Sequence, residues 1–444
     1  MTFQDLNAFI AEAASQLWGW PMILLLLGTH LYLTVRLRFP QRRIFHAIRL
    51  SVTPDAGAEG DVSQFGALAT SLAATIGTGN IIGVATAVAL GGPGAVLWCW
   101  LTGVLGIATK YSEALLAVKY RVRTSDGTML GGPMYALERG LGWKSMAVAF
   151  CVLTAIAAFG IGNTVQSNAI SLLCYETYGV PTIWTGAVLA LFAALVILFG
   201  VKGIARFCTA FVPLMALCYV LGCIYILLVN GSYVWEAFCL ICRSAFSPEA
   251  AGGGFVGTGI MMTARYGIAR GLFSNESGMG SAPIVAAAAQ TKSPVRQALV
   301  SSTATFWDTV VICALTGLVL VSSIIAYPDI DYHNGGALTK MAFEKIPVVG
   351  APLLTFGIVT FAFSTILGWS YYGERAVEYL SGKRYLFIYR LLYVGAIFAG
   401  AVVQLTVVWN LADLLNGLMA IPNLVSLLAL AGVIVAETRQ SADF

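Results

Sequence analysis

Two glycine-rich segments carry the residue types best suited to binding a charged solute. They are ATIGTGNIIG at 74–83 and SNESGMGSAP at 274–283. Glycines let a helix break, and the break frees backbone N–H and C=O groups that need partners. The N-terminus of a half-helix attracts an anion such as a carboxylate, while freed carbonyl oxygens can coordinate a cation. These segments therefore favour reversible binding over bond-making chemistry.

The two segments also match each other. Aligning Gly77 with Gly278 brings Gly79 onto Gly280, and corresponding glycine-broken helices in two halves of a chain are the sequence pointer to a transporter's binding site. An alternative is that the glycines only let helices pack closely, as G-x-x-x-G motifs do.

Residues for catalysis or metal binding are scattered. His30, His46 and His333 are far apart, and Cys239 and Cys242 form a C-x-x-C pair with no second pair beside it. Such a lone pair is better explained by packing than by a metal site. The sequence therefore predicts a protein that is not an enzyme and holds no catalytic metal.

Composition places these segments in a membrane protein. The chain has 444 residues, of which 58% are hydrophobic and 10% are charged, whereas soluble domains carry roughly 25% charged residues. This excludes a soluble enzyme, a disordered protein and a nucleic-acid binder. The continuous apolar runs predict an all-α integral membrane protein that is solvated by the lipid bilayer.

A spanning helix needs about 20 mostly apolar residues. By this criterion the sequence predicts eleven transmembrane helices, at roughly 17–36, 64–90, 94–118, 145–174, 181–199, 205–229, 255–289, 298–325, 349–378, 385–404 and 408–435.

The basic residues predict the orientation. With the N-terminus outside, nineteen Lys and Arg residues fall in segments on the inner side and three on the outer side. Cytoplasmic segments are enriched in Lys and Arg. We therefore expect an outer N-terminus and a cytoplasmic C-terminus.

The spans group into two five-helix units behind one extra helix. Because five is odd, the second unit enters the membrane from the opposite side, which is an inverted repeat. The predicted divisions are an N-terminal helix with a basic segment (1–61), the first unit (62–229), an outer interfacial segment (230–254), the second unit (255–436) and a cytoplasmic tail (437–444). Each unit opens with a glycine-broken helix, so a site near the bilayer midplane is expected.

Several motifs resemble those of the alanine or glycine:cation symporters. They are GTGNIIGVATA (77–87), GGPGAVLWCWLTGVLGIATKYSE (91–113), GGPMYALERGLG (131–142), GIGNTVQSN (160–168) and GIARGLFSNESGMGSAP (267–283). The resemblance runs over nearly the whole chain. It implies sodium-coupled uptake of alanine or glycine across a bacterial or archaeal inner membrane, on a LeuT-type fold with inverted repeats.

The resemblance also implies a substrate site. The first break would offer N–H groups and hydroxyls to the substrate carboxylate, Gln166 would contact the substrate, and Phe273 would pack over it. The bulk of Trp369 would exclude larger side chains. Interhelical hydrogen bonding is the alternative role for Gln166, and ordinary core packing for Phe273. The implied site comprises Thr75, Gly77, Thr78, Gly79, Gln166, Phe273, Ser274 and Trp369.

Two sodium sites are implied as well, since hard cations prefer oxygen ligands. In the LeuT-type arrangement the hydroxyls of Ser364 and Thr365 would join the carbonyl oxygens of Ala73, Ile76 and Phe361. A second site would use Asn80, Ser274 and the Thr75 carbonyl. The alternative for the two adjacent hydroxyls is back-bonding to their own helical turn.

Ionisable residues inside the spans leave the coupling ion open. Glu276 lies in the second break and Asp308 in span eight, and such groups are functional candidates by default. Glu276 is a candidate partner of Arg270, and Lys110 and Glu113 are spaced to pair at i,i+3. Proton coupling through Glu276 or Asp308 is therefore the rival mechanism. A channel, which would need rings or filter loops, and a membrane-embedded enzyme are rivals of other classes.

Overall fold

The structure is a computed structural model that describes residues 3–246, 259–403 and 406–444. These residues are mostly helical, because in lipid a helix satisfies its backbone groups internally. The helices are α1 Phe3–Leu17, α2 Trp20–Arg36, α3 Ile44–Ser51, α4 Gln64–Thr75, α5 Val84–Gly91, α6 Ala95–Lys119, α7 Pro133–Tyr135, α8 Lys144–Phe159, α9 Val165–Tyr178, α10 Thr182–Ile197, α11 Gly200–Val229, α12 Gly231–Ser244, α13 Ile260–Asn275, α14 Pro283–Ala286, α15 Pro294–Thr305, α16 Ala314–Ala326, α17 Gly335–Glu344, α18 Gly350–Ser381, α19 Leu386–Val402, α20 Thr406–Ala429 and α21 Ala431–Gln440.

Irregular helical turns join several of these helices. A 3-10 turn covers Pro40–Arg43, and π-helical turns cover Gly79–Gly83, Ala136–Gly140, Gly160–Thr164 and Phe306–Cys313. Such π turns are often found at functional sites. The strands β1 Val122–Arg123 and β2 Met129–Leu130 form a short antiparallel hairpin.

The predicted spans agree with the structure in part. Among the described residues, seven helices are long and apolar enough to cross a bilayer, and the bent pair Gln64–Thr75 with Gly79–Gly91 makes eight. The predicted spans 181–199 and 385–404 correspond to the shorter apolar helices α10 and α19. The count of eleven and the inverted repeat therefore stay predictions.

The boundary predicted between the interfacial segment (230–254) and the second unit (255–436) lies in residues 247–258, outside the described residues. The described part of the interfacial segment forms helix α12. The described part of the predicted seventh span forms helix α13 and the break that follows it.

Helix α6 is the central element. Of the most apolar stretch of α6, 83% is buried inside the protein, against 22% for the first span, Asn7–Arg36. Helices α13 and α15 pack on α6, whereas α1 packs on α20 at the edge. Helix α2, in contrast, packs on α6, and its Leu26 and His30 lie within 4 Å of the Cβ position of Gly278 in the second break. The assignment of the first span as an extra helix stays a prediction.

Backbone contacts close one end of this assembly. Residues Val62 and Ala289 form a parallel bridge, so the segment before α4 pairs with the segment after the second break. The guanidinium of Arg121 donates to the carbonyl oxygens of Ala287 (3.1 Å), Ala289 (2.8 Å) and Thr291 (3.0 Å). Arg121 thus holds the chain that leaves the second break.

Candidate functional site

The first break separates α4 from the rest of its span and bends the helix axis by 53°. Helix α4 ends at Thr75, and Ile76 has an extended backbone. The N–H of Gly77 donates to Oδ1 of Asn80 at 2.9 Å, and the N–H of Thr78 donates to Oε1 of Gln166 at 3.3 Å. Side-chain amides therefore supply the partners that the broken helix has lost.

The second break follows α13, which ends at Asn275. Glu276 adopts the left-handed region (φ 52°), and so do Gly278 (φ 94°) and Gly280 (φ 84°). Glycine reaches this region without strain, whereas a residue with a side chain does so at a cost. Gly278 and Gly280 are therefore needed for their backbone conformation. Gly77 and Gly79, with which they align, have no positive φ, so glycine serves a different purpose in the first break.

The two breaks lie against each other. A Cβ added to Gly79 would sit 3.4 Å from Cδ1 of Phe273 and 3.5 Å from Cα of Ser274. A larger residue at position 79 would therefore press on the end of α13. The structure brings together the two segments that were paired from their glycines alone.

An oxygen-rich cluster forms where α18 passes the end of α4. Oγ1 of Thr365 lies 3.1 Å from the carbonyl oxygen of Ala73, 3.3 Å from that of Ile76 and 3.0 Å from that of Phe361. Oγ of Ser364 lies 3.2 Å from the carbonyl oxygen of Ala73 and 2.9 Å from that of Phe361. All five residues are buried.

The number of hydroxyl protons in this cluster limits how many of its oxygen–oxygen contacts can be hydrogen bonds. Each hydroxyl has one proton to donate, so Ser364 and Thr365 cannot satisfy all five oxygen–oxygen contacts at once. Back-bonding to Phe361 does occur, but it accounts for only part of the geometry. Five buried oxygens with two protons among them are an arrangement suited to a hard cation.

A second polar cluster joins the breaks to span eight. The amide of Asn80 donates to Oδ1 of Asp308 at 2.7 Å. The hydroxyls of Ser274 and Thr309 donate to Oδ2 at 3.0 Å and 2.7 Å. Asp308 therefore lies at the predicted second cation site, to which it was not assigned from the sequence. Thr75 is in the first break, and its hydroxyl donates to the Ser71 carbonyl at 3.1 Å.

Gln166 connects the first break to span four. Its amide nitrogen donates to the carbonyl oxygen of Ile161 at 2.9 Å, in the π turn over Gly160–Thr164. Its oxygen accepts from Thr78, on another helix. The interhelical hydrogen bond, the alternative considered for Gln166, is thus present, and a contact with substrate stays a prediction.

Trp369 is fully buried beside the second break. A Cβ added to Gly162 would lie 2.1 Å from Cβ of Trp369, so only glycine at 162 allows the two helices to approach this closely. The indole nitrogen of Trp369 donates to Oε1 of Glu276 at 3.0 Å. Trp369 is thus fixed by packing of its Cβ against Gly162 and by the hydrogen bond from its indole nitrogen to Glu276.

Phe273 faces the other way, toward a cavity of about 270 Å³. Trp18, Arg270 and Asp413 line the same cavity, and the charges of Arg270 and Asp413 interact. Since Phe273 also contacts Gly79, it lies between this cavity and the first break.

Neither of the two candidate charge pairs, Glu276 with Arg270 and Lys110 with Glu113, forms a contact ion pair. Glu276 is held by Trp369 and by the hydroxyl of Ser281 at 2.5 Å rather than by Arg270. Helix α13 ends at Asn275, so Glu276 lies in the left-handed backbone after the helix and no longer follows the helical spacing from Arg270.

Lys110 and Glu113 form no ion pair within contact distance, although both are buried. Oε1 of Glu113 instead accepts from the backbone N–H groups of Gly278 and Gly280, both at 3.0 Å, and from the amide of Asn423 at 2.6 Å. Within the described part of the chain Nζ of Lys110 has no hydrogen-bond partner. It interacts at longer range with Glu113, Glu276 and Asp308.

Asn423 was not singled out from the sequence. Its amide bonds both Glu113 and the carbonyl oxygen of Gly278, the latter at 2.9 Å. The available signal was an amide inside an apolar span, which is costly unless it is paired. The partner could not be inferred, because Glu113 is 310 residues away in sequence.

Comparison with known proteins places the chain in a family. The model of the sodium:alanine symporter family matches residues 3–443. The chain belongs to this family. The sodium/alanine symporter AgcS of Methanococcus maripaludis is 49% identical to it over 443 residues, which are 98% of this chain and 97% of that protein.

Another member is described as a probable sodium/glutamine symporter, GlnT of Bacillus subtilis. This chain is 35% identical to it over 444 residues, covering 98% of this chain and 91% of GlnT. The solved structure of MhsT in complex with L-phenylalanine has a TM-score of 0.57 at 14% identity, and the match covers 87% of this chain and all of that one. This similarity shows the LeuT-type fold.

The predicted family is therefore confirmed. The symporter is a multi-pass membrane protein that couples sodium to amino-acid transport, and it is not an enzyme.

Proposed function

We propose that the symporter carries a small neutral amino acid, alanine or glycine, together with sodium, by alternating access. The main support for sodium coupling is the buried oxygen cluster on α18. It consists of the hydroxyls of Ser364 and Thr365 and the carbonyl oxygens of Ala73, Ile76 and Phe361. It ties α18 to the end of the first broken helix. A cation bound there stabilises one arrangement of these two elements, so it can change the affinity of the neighbouring break for substrate.

The amino acid binds between the two breaks. In this proposal its carboxylate meets the backbone N–H groups at Thr78 and Gly79, where the π turn begins and the helix N-terminus favours an anion. Gln166 leaves Thr78 and turns to the substrate, since its bond of 3.3 Å to that N–H is long. Gly77 lets Thr365 and Gln166 lie this close to the break, because a Cβ there would be 2.6 Å from Oγ1 of Thr365 and 3.4 Å from Oε1 of Gln166.

Trp369 and Phe273 limit the substrate side chain. Trp369 cannot withdraw, because Gly162 packs against its Cβ and Glu276 holds its indole nitrogen. A single methylene discriminates by only about 1–3 kcal/mol in an apolar pocket, so a fixed wall is needed for sharper selection. This accounts for a preference for alanine and glycine over larger residues.

A second sodium ion binds at Asn80, Ser274 and the Thr75 carbonyl. We include the carboxylate of Asp308 in this site, since it already accepts hydrogen bonds from both Asn80 and Ser274. A carboxylate supplies the charge that neutral oxygens lack. Proton coupling remains the rival, favoured by the burial of Glu276 and Asp308 beside the breaks.

We further propose an inner-membrane location, an outer N-terminus and a cytoplasmic C-terminus, with the two five-helix units at 62–229 and 255–436. The excess of basic residues on one side supports this orientation. Labelling of a His333→Cys variant by a membrane-impermeant maleimide on intact cells tests it, in a protein whose free Cys239 and Cys242 are replaced by serine. Protection of that cysteine until the cells are opened would reverse the orientation.

The deciding experiment is uptake of radiolabelled alanine into proteoliposomes under an inward sodium gradient and, separately, an inward proton gradient. The matched variants are Thr365→Ala and Thr360→Ala, because among the described residues the Thr360 hydroxyl bonds only carbonyls of its own helix. We expect sodium-dependent uptake that falls strongly in Thr365→Ala and little in Thr360→Ala. Uptake driven by protons alone would contradict sodium coupling. The absence of uptake under both gradients, for labelled alanine and for labelled glycine tested in the same way, would contradict the proposed substrate.

A further inference from the structure

A cavity of about 510 Å³ opens at the end of α2, away from the two breaks. It lies between the turn that follows α2 and the C-terminal helix α21. Five arginines line it, namely Arg36, Arg38, Arg42, Arg43 and Arg439. This is a fifth of the 25 basic residues of the chain, gathered from two distant segments onto one cavity.

No acidic side chain in the described part of the chain neutralises these five guanidinium groups. Within residues 3–246, 259–403 and 406–444, none of them forms an ion pair or a side-chain hydrogen bond. Aromatic rings hold three of them, with Arg36 over Tyr32 at 5.8 Å, Arg42 over Phe39 at 5.3 Å and Arg43 over Phe444 at 5.9 Å. A ring orients a guanidinium but does not neutralise its charge.

The backbone is shaped to bring these residues together. Arg38 and Phe39 adopt φ values of 56° and 63°, in the left-handed region that side-chain-bearing residues rarely occupy. This reverses the chain after α2, so that the turn over Pro40–Arg43 folds back beside the helix end. Five like charges around one cavity repel one another, and an anion placed between them reduces that repulsion.

Guanidinium groups match phosphate oxygens, because their planar N–H donors can form paired hydrogen bonds with them. The cavity also has an apolar side formed by Leu37 and Val435. Arg36 is the last residue of the apolar span Asn7–Arg36, so the cavity opens at the depth where lipid headgroups meet water. Its mixed lining suits a headgroup phosphate with glycerol and acyl chain behind it.

We propose that this cavity is a binding site for a phosphate anion, and that its occupant is the headgroup of an anionic phospholipid. The lipid joins the end of the extra span to α21, which packs on the central helix α6. The site is independent of the proposed substrate and sodium sites.

The test uses the full-length protein purified in a neutral detergent and measures lipid binding by native mass spectrometry. Phosphatidylglycerol is compared with phosphatidylcholine, and inorganic phosphate is added as a competitor. The variants are Arg42→Gln with Arg43→Gln and, as a second pair, Arg36→Gln with Arg439→Gln. The control pair, Arg49→Gln with Arg384→Gln, removes the same charge from exposed positions outside the cavity.

We expect one phosphatidylglycerol to bind in preference to phosphatidylcholine, and about tenfold weaker binding in both cavity pairs. The control pair should bind as the wild-type protein does. Equal binding by all proteins, or an equal loss in the control pair, would overturn the proposal, since the attraction would then be delocalised. Binding of inorganic phosphate without preference for phosphatidylglycerol would keep the phosphate site and overturn the lipid as its occupant.

Discussion

The amide nitrogen of Asn80 lies 2.7 Å from a carboxylate oxygen of Asp308. This bond connects the first helix break to the π turn over Phe306–Cys313 in span eight. Ser274, from the end of α13, donates to the other oxygen of the same carboxylate. One acidic side chain thus links both breaks to a third helix, which is the position from which a bound cation would influence all three.

Replacing Asp308 with Asn should weaken the sodium dependence of transport. The substitution keeps the shape and removes the charge that would balance the second sodium ion. We expect the sodium concentration for half-maximal alanine uptake to rise about tenfold or more, because a lost charge-assisted interaction is worth about 1.5–3 kcal/mol. The control is Thr309→Val, which removes a hydrogen bond to Asp308 but leaves the charge. An unchanged sodium dependence in Asp308→Asn would exclude Asp308 from the cation site.

Removing the carboxylate of Glu113 should destabilise the second break. In Glu113→Ala the N–H groups of Gly278 and Gly280 lose their acceptor in a buried place. Each buried group left unpaired costs about 1–3 kcal/mol, so we expect a clear fall in the thermal unfolding midpoint in detergent.

Two comparisons separate this effect from a simple change of charge on α6. Glu113→Gln keeps an acceptor oxygen and should be affected less. Glu437→Ala breaks the partly exposed ion pair with Lys119, which is worth about 0–1 kcal/mol. If Glu113→Ala and Glu437→Ala unfold at the same temperature, Glu113 does not hold the break.

Gly162→Ala should disturb the substrate site through Trp369. The new Cβ would lie 2.1 Å from Cβ of Trp369, which is far inside contact distance, so one of the two helices must shift. We expect most alanine uptake to be lost while the protein remains folded in the membrane. Gly395→Ala is the control, since nothing lies within 4 Å of its Cβ position. Normal uptake by Gly162→Ala would show that Trp369 can move freely.

Two substitutions separate the roles of the Trp369 ring and of its N–H group. Trp369→Phe keeps an aromatic wall but removes the hydrogen bond to Glu276, so we expect slower alanine uptake with the preference for small substrates retained. Trp369→Leu removes bulk and should let valine compete with labelled alanine. The measurement is the inhibition constant of valine against alanine uptake. If valine competes equally in the wild-type protein and in both variants, Trp369 does not set substrate size.

The local sequence predicted the fold class, the positions of the two helix breaks and the family. The long apolar runs predicted a helical membrane protein, because lipid requires every backbone group to be paired within a segment. The glycines at 77, 79, 278 and 280 predicted where two helices break, and the structure breaks them there. The motif GLFSNESGMGSAP, at 271–283, carried the family resemblance that the family match confirms.

The tertiary structure decided how the polar residues are paired. The sequence allowed Glu113 to pair with Lys110 and Glu276 with Arg270, since these residues are near one another along the chain. In the folded chain Glu113 instead accepts hydrogen bonds from Asn423 and Gly278, and Glu276 accepts one from Trp369. In an apolar interior each buried polar group goes to the partner that helix packing brings within hydrogen-bond distance, and sequence spacing does not report that packing. The same reason explains why Arg439 and the arginines after α2 meet at one cavity only in the folded protein.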